Sequence, residues 1–255
     1  MNIVQVRNIK LGEGLPKICV PIVGSTKEEI LQQAEEIVKL DIDIIEWRAD
    51  WFDGVFDAEA VHEVLCALRK LLEETPLLFT FRTAKEGGEK EISSSDYLDL
   101  NRKVAGTTLA DLIDVEAFFE EETVRTLIKL AHEKGVKVVA SNHDFEKTPV
   151  KEEIINRLRK MQELGADLPK LAVMPQCKQD VLTLLSATLE MHEKYADRPI
   201  ITMSMADDGA ISRMVGEIFG SALTFGSAKK ASAPGQWEVS ELKQVLEIIH
   251  NRLKG

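Results

Sequence analysis

From residue 17 onward, short β-branched or apolar runs alternate with longer amphipathic stretches, and the alternation never breaks. The runs are KICVPIV (17–23), DIIEWRAD (43–50), LLFTFRT (77–83), LIDVEAF (112–118), VKVVASNHD (136–144), KLAVMP (170–175), PIITMSM (199–205) and ALTFGSA (222–228). Strand followed by helix, repeated, implies right-handed crossovers and a parallel sheet. Eight such units in 255 residues have the size of a (β/α)₈ barrel, an α/β fold. A doubly wound sheet is the other arrangement of such units, but no GxGxxG follows the first run to favour it. The first helix is predicted in TKEEILQQAEEIVKL, with Thr26 as N-cap and Ile30, Ala34, Ile37 and Val38 on its apolar side. Residues 1–16, with Gly12 and Gly14, read as a short N-terminal hairpin, and VSELKQVLEIIHNRLKG supplies the eighth helix. With no linker or low-complexity tract, residues 1–255 read as a single domain.

In such a barrel alternate residues point inward, and reactive groups gather at the carboxyl ends of the strands. Ile44, Glu46, Arg48 and Asp50 share one face, opposite Ile45, Trp47 and Ala49. By the same parity Thr80 and Arg82, Asp114 and Glu116, Ser141 and His143, and Lys170 face inward from later strands. Each alone is explained as a satisfied ion pair or a solvated strand end. Together they are not, because a purely structural barrel fills its axis with Val, Ile and Leu, and converging charges are costly unless paired and used. Lys170 stands at the entrance of the run Leu171–Met174, between Pro169 and Pro175. Burial there, beside arginine and histidine, would disfavour the ammonium and turn the amine into a nucleophile.

Composition narrows the partners. A net charge of −11 argues against a nucleic-acid or anionic-membrane surface, although a few arginines can still hold an anionic substrate. The N-terminus lacks the apolar core of a signal peptide, and no apolar run approaches the roughly 18–20 residues that span a bilayer. Cys19, Cys66 and Cys177 show no CxxC spacing and read as reduced structural thiols, so a cytoplasmic location is expected. His143, in SNHDF, is a turn histidine or a general acid–base group. Zinc is disfavoured because no second histidine stands at i+2 or i+4 and no inward thiol accompanies it. His62, His132, His192 and His250 fall in helical patterns and read as surface residues. After the third strand, Gly87-Gly88 permits a tight turn that can carry Glu86 over the barrel mouth, whereas Lys85 and Glu89 read as solvated. KKASAPGQWEV, after the eighth strand, has the composition of a lid.

The stretches EWRAD, LLFTFRTAKEGGE, SNHDF, RLRKMQELGADLPKLAVMP, RPIITMSM, GAISR, FGSA and KKASAPGQ resemble the type I 3-dehydroquinate dehydratases over nearly the whole chain. The resemblance implies a (β/α)₈ barrel, a homodimer, no metal or organic cofactor, and a small-molecule substrate, 3-dehydroquinate, dehydrated by syn elimination in the shikimate pathway. It implies Lys170 as the Schiff-base lysine, His143 as general acid–base and Glu86 as its support. It also implies that Glu46, Arg48 and Arg82 bind hydroxyls and position the ring, that Arg213 binds the carboxylate, and that Ser232 and Gln236 close over the substrate. A class I aldolase or transaldolase, with a phosphate site after strands seven and eight, and a non-catalytic ligand-binding barrel are the alternatives.

Overall fold

The computed structural model describes residues 2–228 and 236–254. An antiparallel hairpin comes first: β1 (Val4–Val6) and β2 (Ile9–Leu11), with Val4 opposite Leu11. Next come β3 (Lys17–Ile22), β4 (Ile44–Arg48), β5 (Leu77–Thr80), β6 (Leu112–Glu116), β7 (Lys137–Asp144), β8 (Leu168–Val173), β9 (Ile201–Ser204) and β10 (Leu223–Ser227). From β3 to β9 each pairs in parallel with the next, and β10 pairs with β3. A parallel bridge between Ile200 and Ser221 joins the last two, with the Ala222 N–H donating to the Ile200 carbonyl at 2.8 Å, so the sheet closes into a barrel. A short β11 (Trp237–Glu238) adds to β10. Around the barrel lie α1 (Lys27–Ile37), α2 (Ala58–Leu72), α3 (Ser94–Thr107), α4 (Glu121–Glu133), α5 (Lys151–Glu163), α6 (Lys178–Glu190), the single turns α7 (Ala206–Gly209) and α8 (Gly216–Phe219), and α9 (Val239–Lys254). The (β/α)₈ barrel with its N-terminal hairpin is as the sequence predicts.

Period-two alternation sorts the apolar residues into two separate cores. Outward residues such as Ile45, Trp47, Phe79 and Ile113 pack against helix residues such as Ile30, Leu65 and Leu127. Thr26 caps α1 as expected, accepting from the Glu29 N–H, and Ile30, Ala34 and Ile37 are buried. Inward residues Cys19, Ile44, Leu78, Leu112, Leu168, Ile201 and Leu223 fill the lower barrel, and Val4, Val6 and Leu11 of the hairpin join them. Each buried Ile or Leu contributes roughly 1.5–3 kcal/mol. Above this apolar floor the same inward faces carry Glu46, Thr80, Asp114, Ser141 and Lys170, all buried.

Four local expectations are corrected. β4 ends at Arg48, and Asp50 lies in a 3₁₀ turn, Ala49–Trp51, beyond the strand. β8 starts at Leu168 and runs through Pro169, which pairs with Ala140, because a proline at the second position removes one donor where the ladder is only beginning. Lys170 is therefore inside the strand rather than at its entrance. Cys19 points into the barrel, fully buried, where burial pushes its thiol up, as Glu46 also does, against the pull of Lys170. His250 is buried on α9 along with Leu242 and Leu246, its Nδ1 2.6 Å from Glu217 Oε1.

Candidate active site

At the carboxyl ends of the strands the barrel opens into a cavity. Glu46 and Arg48 of β4, Arg82 and Glu86 after β5, His143 of β7, Lys170 of β8, Arg213 and Gln236 all line it. Of the candidate residues named from the sequence, Ser232 alone lies outside the described residues, and with it residues 229–235, most of the segment expected to form a lid.

Lys170 is only 4% exposed; its Nζ stands 3.5 Å from Asp114 Oδ2 and 4.5 Å from the centre of the Phe225 ring. Asp114 Oδ1 accepts from Arg82 Nη2 at 2.8 Å and from Ser141 Oγ at 2.6 Å. Burial pushes the Asp114 carboxyl up, but Arg82, Lys170 and these hydrogen bonds outweigh it and hold the group below the usual carboxylate range. Arg82 Nη1 donates to Glu116 Oε1 at 3.0 Å and to Ser141 Oγ at 2.9 Å. Both terminal nitrogens of Arg82 are thus engaged by the barrel's own acids and serine, which fixes the guanidinium rigidly at the cavity wall.

Glu86 closes a 3₁₀ turn, Ala84–Glu86, and two glycines make that turn possible. Gly87 has φ of +82°, and a Cβ on it would fall 2.4 Å from the Phe145 ring. At Gly88 a Cβ would fall 1.9 Å from the Arg82 carbonyl oxygen, where backbone must give way. Gly88→Ala is therefore expected to cost at least roughly 1–3 kcal/mol and to displace Glu86. A melting scan should show a loss of several degrees for a chain of this size. Gly106→Ala, in α3 with nothing within 4 Å, should show none.

The turn places Glu86 against the end of β7. Its Oε2 accepts the His143 backbone N–H at 2.9 Å and lies 2.9 Å from the ring Nδ1, while Oε1 accepts from Asn142 Nδ2 at 3.0 Å. A carboxylate that is accepting these bonds takes Nδ1 as a donor, so Nε2 keeps the lone pair: His143 is set up as a base. Burial drives the imidazole well below its ordinary value, and the charges of Arg82, Lys170 and Arg48 push the same way. Burial also raises Glu86 to about 7, with Arg82 opposing and Glu116 assisting.

The remaining groups are built to bind. Arg48 makes a two-pronged pair with Asp50, both bonds 2.8 Å. Asp50, fully buried, also accepts from the backbone N–H of Arg82 at 3.3 Å and of Glu89 at 3.2 Å. Glu46 Oε1 accepts from Thr80 Oγ1 at 2.8 Å. Arg213 ends a 3₁₀ turn that Ser212 pins to β9, its Oγ accepting from the Ser204 N–H at 2.9 Å. Arg213 is 2% exposed, and burial pulls its guanidinium down to about 10, so an anion entering the cavity restores what burial costs the charge. Met203, Met205, Ala172 and Phe225 supply the apolar wall.

Sequence reading overlooked the contributions of Asn142 and Phe225. Phe225 has inward parity in its strand, yet its type reads as plain core. Asn142 has outward parity, and it meets Glu86 because the Ala84–Glu86 turn brings that carboxylate alongside β7. Among the described residues no three His, Cys, Asp or Glu side chains converge as metal ligands.

Residues 18–252 match the family model described as type I 3-dehydroquinase. The chain belongs to the type I 3-dehydroquinase family. A curated relative, the 3-dehydroquinate dehydratase of Bacillus licheniformis, is 59% identical over 252 residues, 99% of each chain. The solved type I 3-dehydroquinate dehydratase of Clostridium difficile, carrying covalently modified comenic acid, is 57% identical, covers 98% of both chains and superposes with a TM-score of 0.96. The Geobacillus kaustophilus enzyme is 37% identical with a TM-score of 0.95, covering 98% of this chain and 97% of its own. With the type I 3-dehydroquinases established as its family, the aldolase and non-catalytic readings fall away.

Proposed function

We propose that this chain, a carbon–oxygen lyase, removes water from 3-dehydroquinate to give 3-dehydroshikimate through a Schiff base on Lys170. The supporting observation is the buried Lys170 amine in one cavity with the His143–Glu86 pair and the buried Arg213. Removing a proton next to a ketone is slow because the enolate is unstable, and a protonated imine supplies the missing electron sink.

The neutral amine adds to the C3 carbonyl, and the carbinolamine loses its oxygen as water to leave an iminium. His143 Nε2 takes the C2 proton, and the C–H electrons flow to nitrogen as an enamine. The electrons return as the C1–O bond breaks, His143 delivers its proton to the departing hydroxyl, and a second water leaves. Because one imidazole serves both steps, the elimination is syn. Water then adds to the product iminium, the C–N bond breaks, and the amine is restored. In this reading Arg213 holds the substrate carboxylate, Glu46 and Arg48 bind its hydroxyls, and Arg82 fixes the ring's position through its rigid setting. Ser232 and Gln236 complete the closure.

The enzyme would act in the cytoplasm as a homodimer on a free small molecule in the shikimate pathway, independently of nucleic acid and membrane. Among the described residues no helix is long and apolar enough to cross a bilayer. Mixing the purified chain with 3-dehydroquinate and following the ultraviolet absorbance of the conjugated product tests the activity directly. No absorbance change would refute it.

The pair also sets a pH dependence. As pH falls through about 7 the Glu86 carboxyl takes up a proton, donates it to Nδ1, and the imidazole then carries its own hydrogen on Nε2 and is no longer a base. Activity should therefore decline below about 7. Glu86→Gln removes that titrating group and leaves His143, which is held well below 6.5. The acid limb of kcat/KM is expected to move down accordingly, with a lower plateau. A limb that stays in place would take Glu86 out of the pair's titration.

A further inference from the structure

The steps above leave one buried charge without a task. Asp114 does not line the cavity; it lies beneath, on β6, with Ser141 of β7 between it and Lys170 of β8. It is fully buried. Its Oδ1 is held by Arg82 and Ser141 at 2.8 and 2.6 Å. Its Oδ2 has no hydrogen-bond donor among the described residues, and Lys170 Nζ stands 3.5 Å from it. A dry carboxylate oxygen facing a single cation is costly to keep. Neighbouring Glu116 shows the ordinary solution, both of its oxygens bonded, Oε1 to Arg82 and the Thr83 N–H and Oε2 to the Thr83 hydroxyl.

We propose that Asp114 is the fixed counter-ion of the Lys170 nitrogen and holds the positive charge of the iminium formed there. This rests on the Schiff-base reading above. The nitrogen becomes cationic twice in the cycle, once when the carbinolamine loses water and again when the C1–O bond breaks. Between those points the enamine is neutral at nitrogen. A hydrogen-bond partner placed for the free ammonium would lose its hydrogen when the N–C bond forms. A bare carboxylate oxygen below the nitrogen loses nothing, and it favours the cationic state on both occasions. The Phe225 ring, 4.5 Å away, adds its face to the same charge. Because Asp114 sits under the cavity floor, an occupied cavity leaves the contact in place.

The titratable and charged groups around Lys170 are Asp114 on β6, Cys19 on β3 and His143 on β7. Arg82, and Glu46 and Arg48 of β4, stand further round the same cavity. Asp114 is the carboxylate paired with the lysine. Without its charge the carboxylate no longer offsets a cation on the Lys170 nitrogen, and Arg82 remains close by as a like charge.

The test is Asp114→Asn, whose side-chain oxygen can still accept from Arg82 and Ser141. With substrate and borohydride the variant is expected to trap an adduct at Lys170, with the midpoint of the trapping-versus-pH curve displaced to lower pH. Turnover is expected to fall roughly 10²–10³-fold. Asp114→Ala, which removes the charge but also the acceptor of Arg82 and Ser141, should move the midpoint the same way, and Asp114→Glu should bring it back. Wild-type turnover in a folded variant, or an unmoved midpoint, overturns the counter-ion and leaves the Schiff base standing. Trapping that persists in Lys170→Ala overturns the Schiff base itself.

Discussion

Lys170→Ala is expected to fold, to form no imine, and to lose turnover by more than the roughly 10²–10⁴-fold ascribed to a single general acid–base group. Folding should survive because the carboxylate left behind is not abandoned: Asp114 keeps Arg82 and Ser141. The chemistry should not survive, because the cavity then offers the ketone no amine from the barrel interior. Borohydride added with 3-dehydroquinate should raise the intact mass of the wild type by one reduced adduct and leave the variant unchanged. Peptide mapping should place the adduct on Lys170. An adduct on Lys229 or Lys230 instead would sink the assignment.

The second large effect is expected at His143→Ala. The amine is untouched, so condensation proceeds, but no base remains for the C2 proton and no acid for the departing hydroxyl. Turnover should drop by roughly 10²–10⁴-fold while borohydride captures more adduct than in the wild type. Glu86 still accepts from the backbone N–H of residue 143 and from Asn142, so its turn should hold. A variant with near-normal turnover would remove the imidazole from the reaction.

The alternation of runs was enough to read the barrel, and parity within the runs was enough to bring Glu46, Arg48, Arg82, His143 and Lys170 to one end of it. Parity gives the direction of a side chain but not which group across the barrel it meets. That depends on the stagger between strands, so the pairing of Lys170 with Asp114 two strands away was not legible. Pro169 misled for another reason: proline is read as a breaker, yet the ladder begins around it. The buried His250 was legible in principle, since it continues the stripe of Leu242 and Leu246 at i and i+4. Its polar type obscured the stripe, and Glu217 on a distant turn is what satisfies it. The bond from Asn142 to Glu86 depends on a loop whose path two glycines set, and no periodicity reaches that far.

The hairpin that packs Val4, Val6 and Leu11 under the barrel makes the reaction vessel blind-ended. Among the described residues, substrate, product and the waters of condensation, elimination and hydrolysis then share the doorway at the end where Arg213 and Gln236 stand. Entry and exit cannot then be tuned separately. Whatever tightens the doorway to protect the imine also lengthens the stay of the product behind it. In a one-door chamber, protection of the intermediate and speed of release are set by the same few residues and trade against each other.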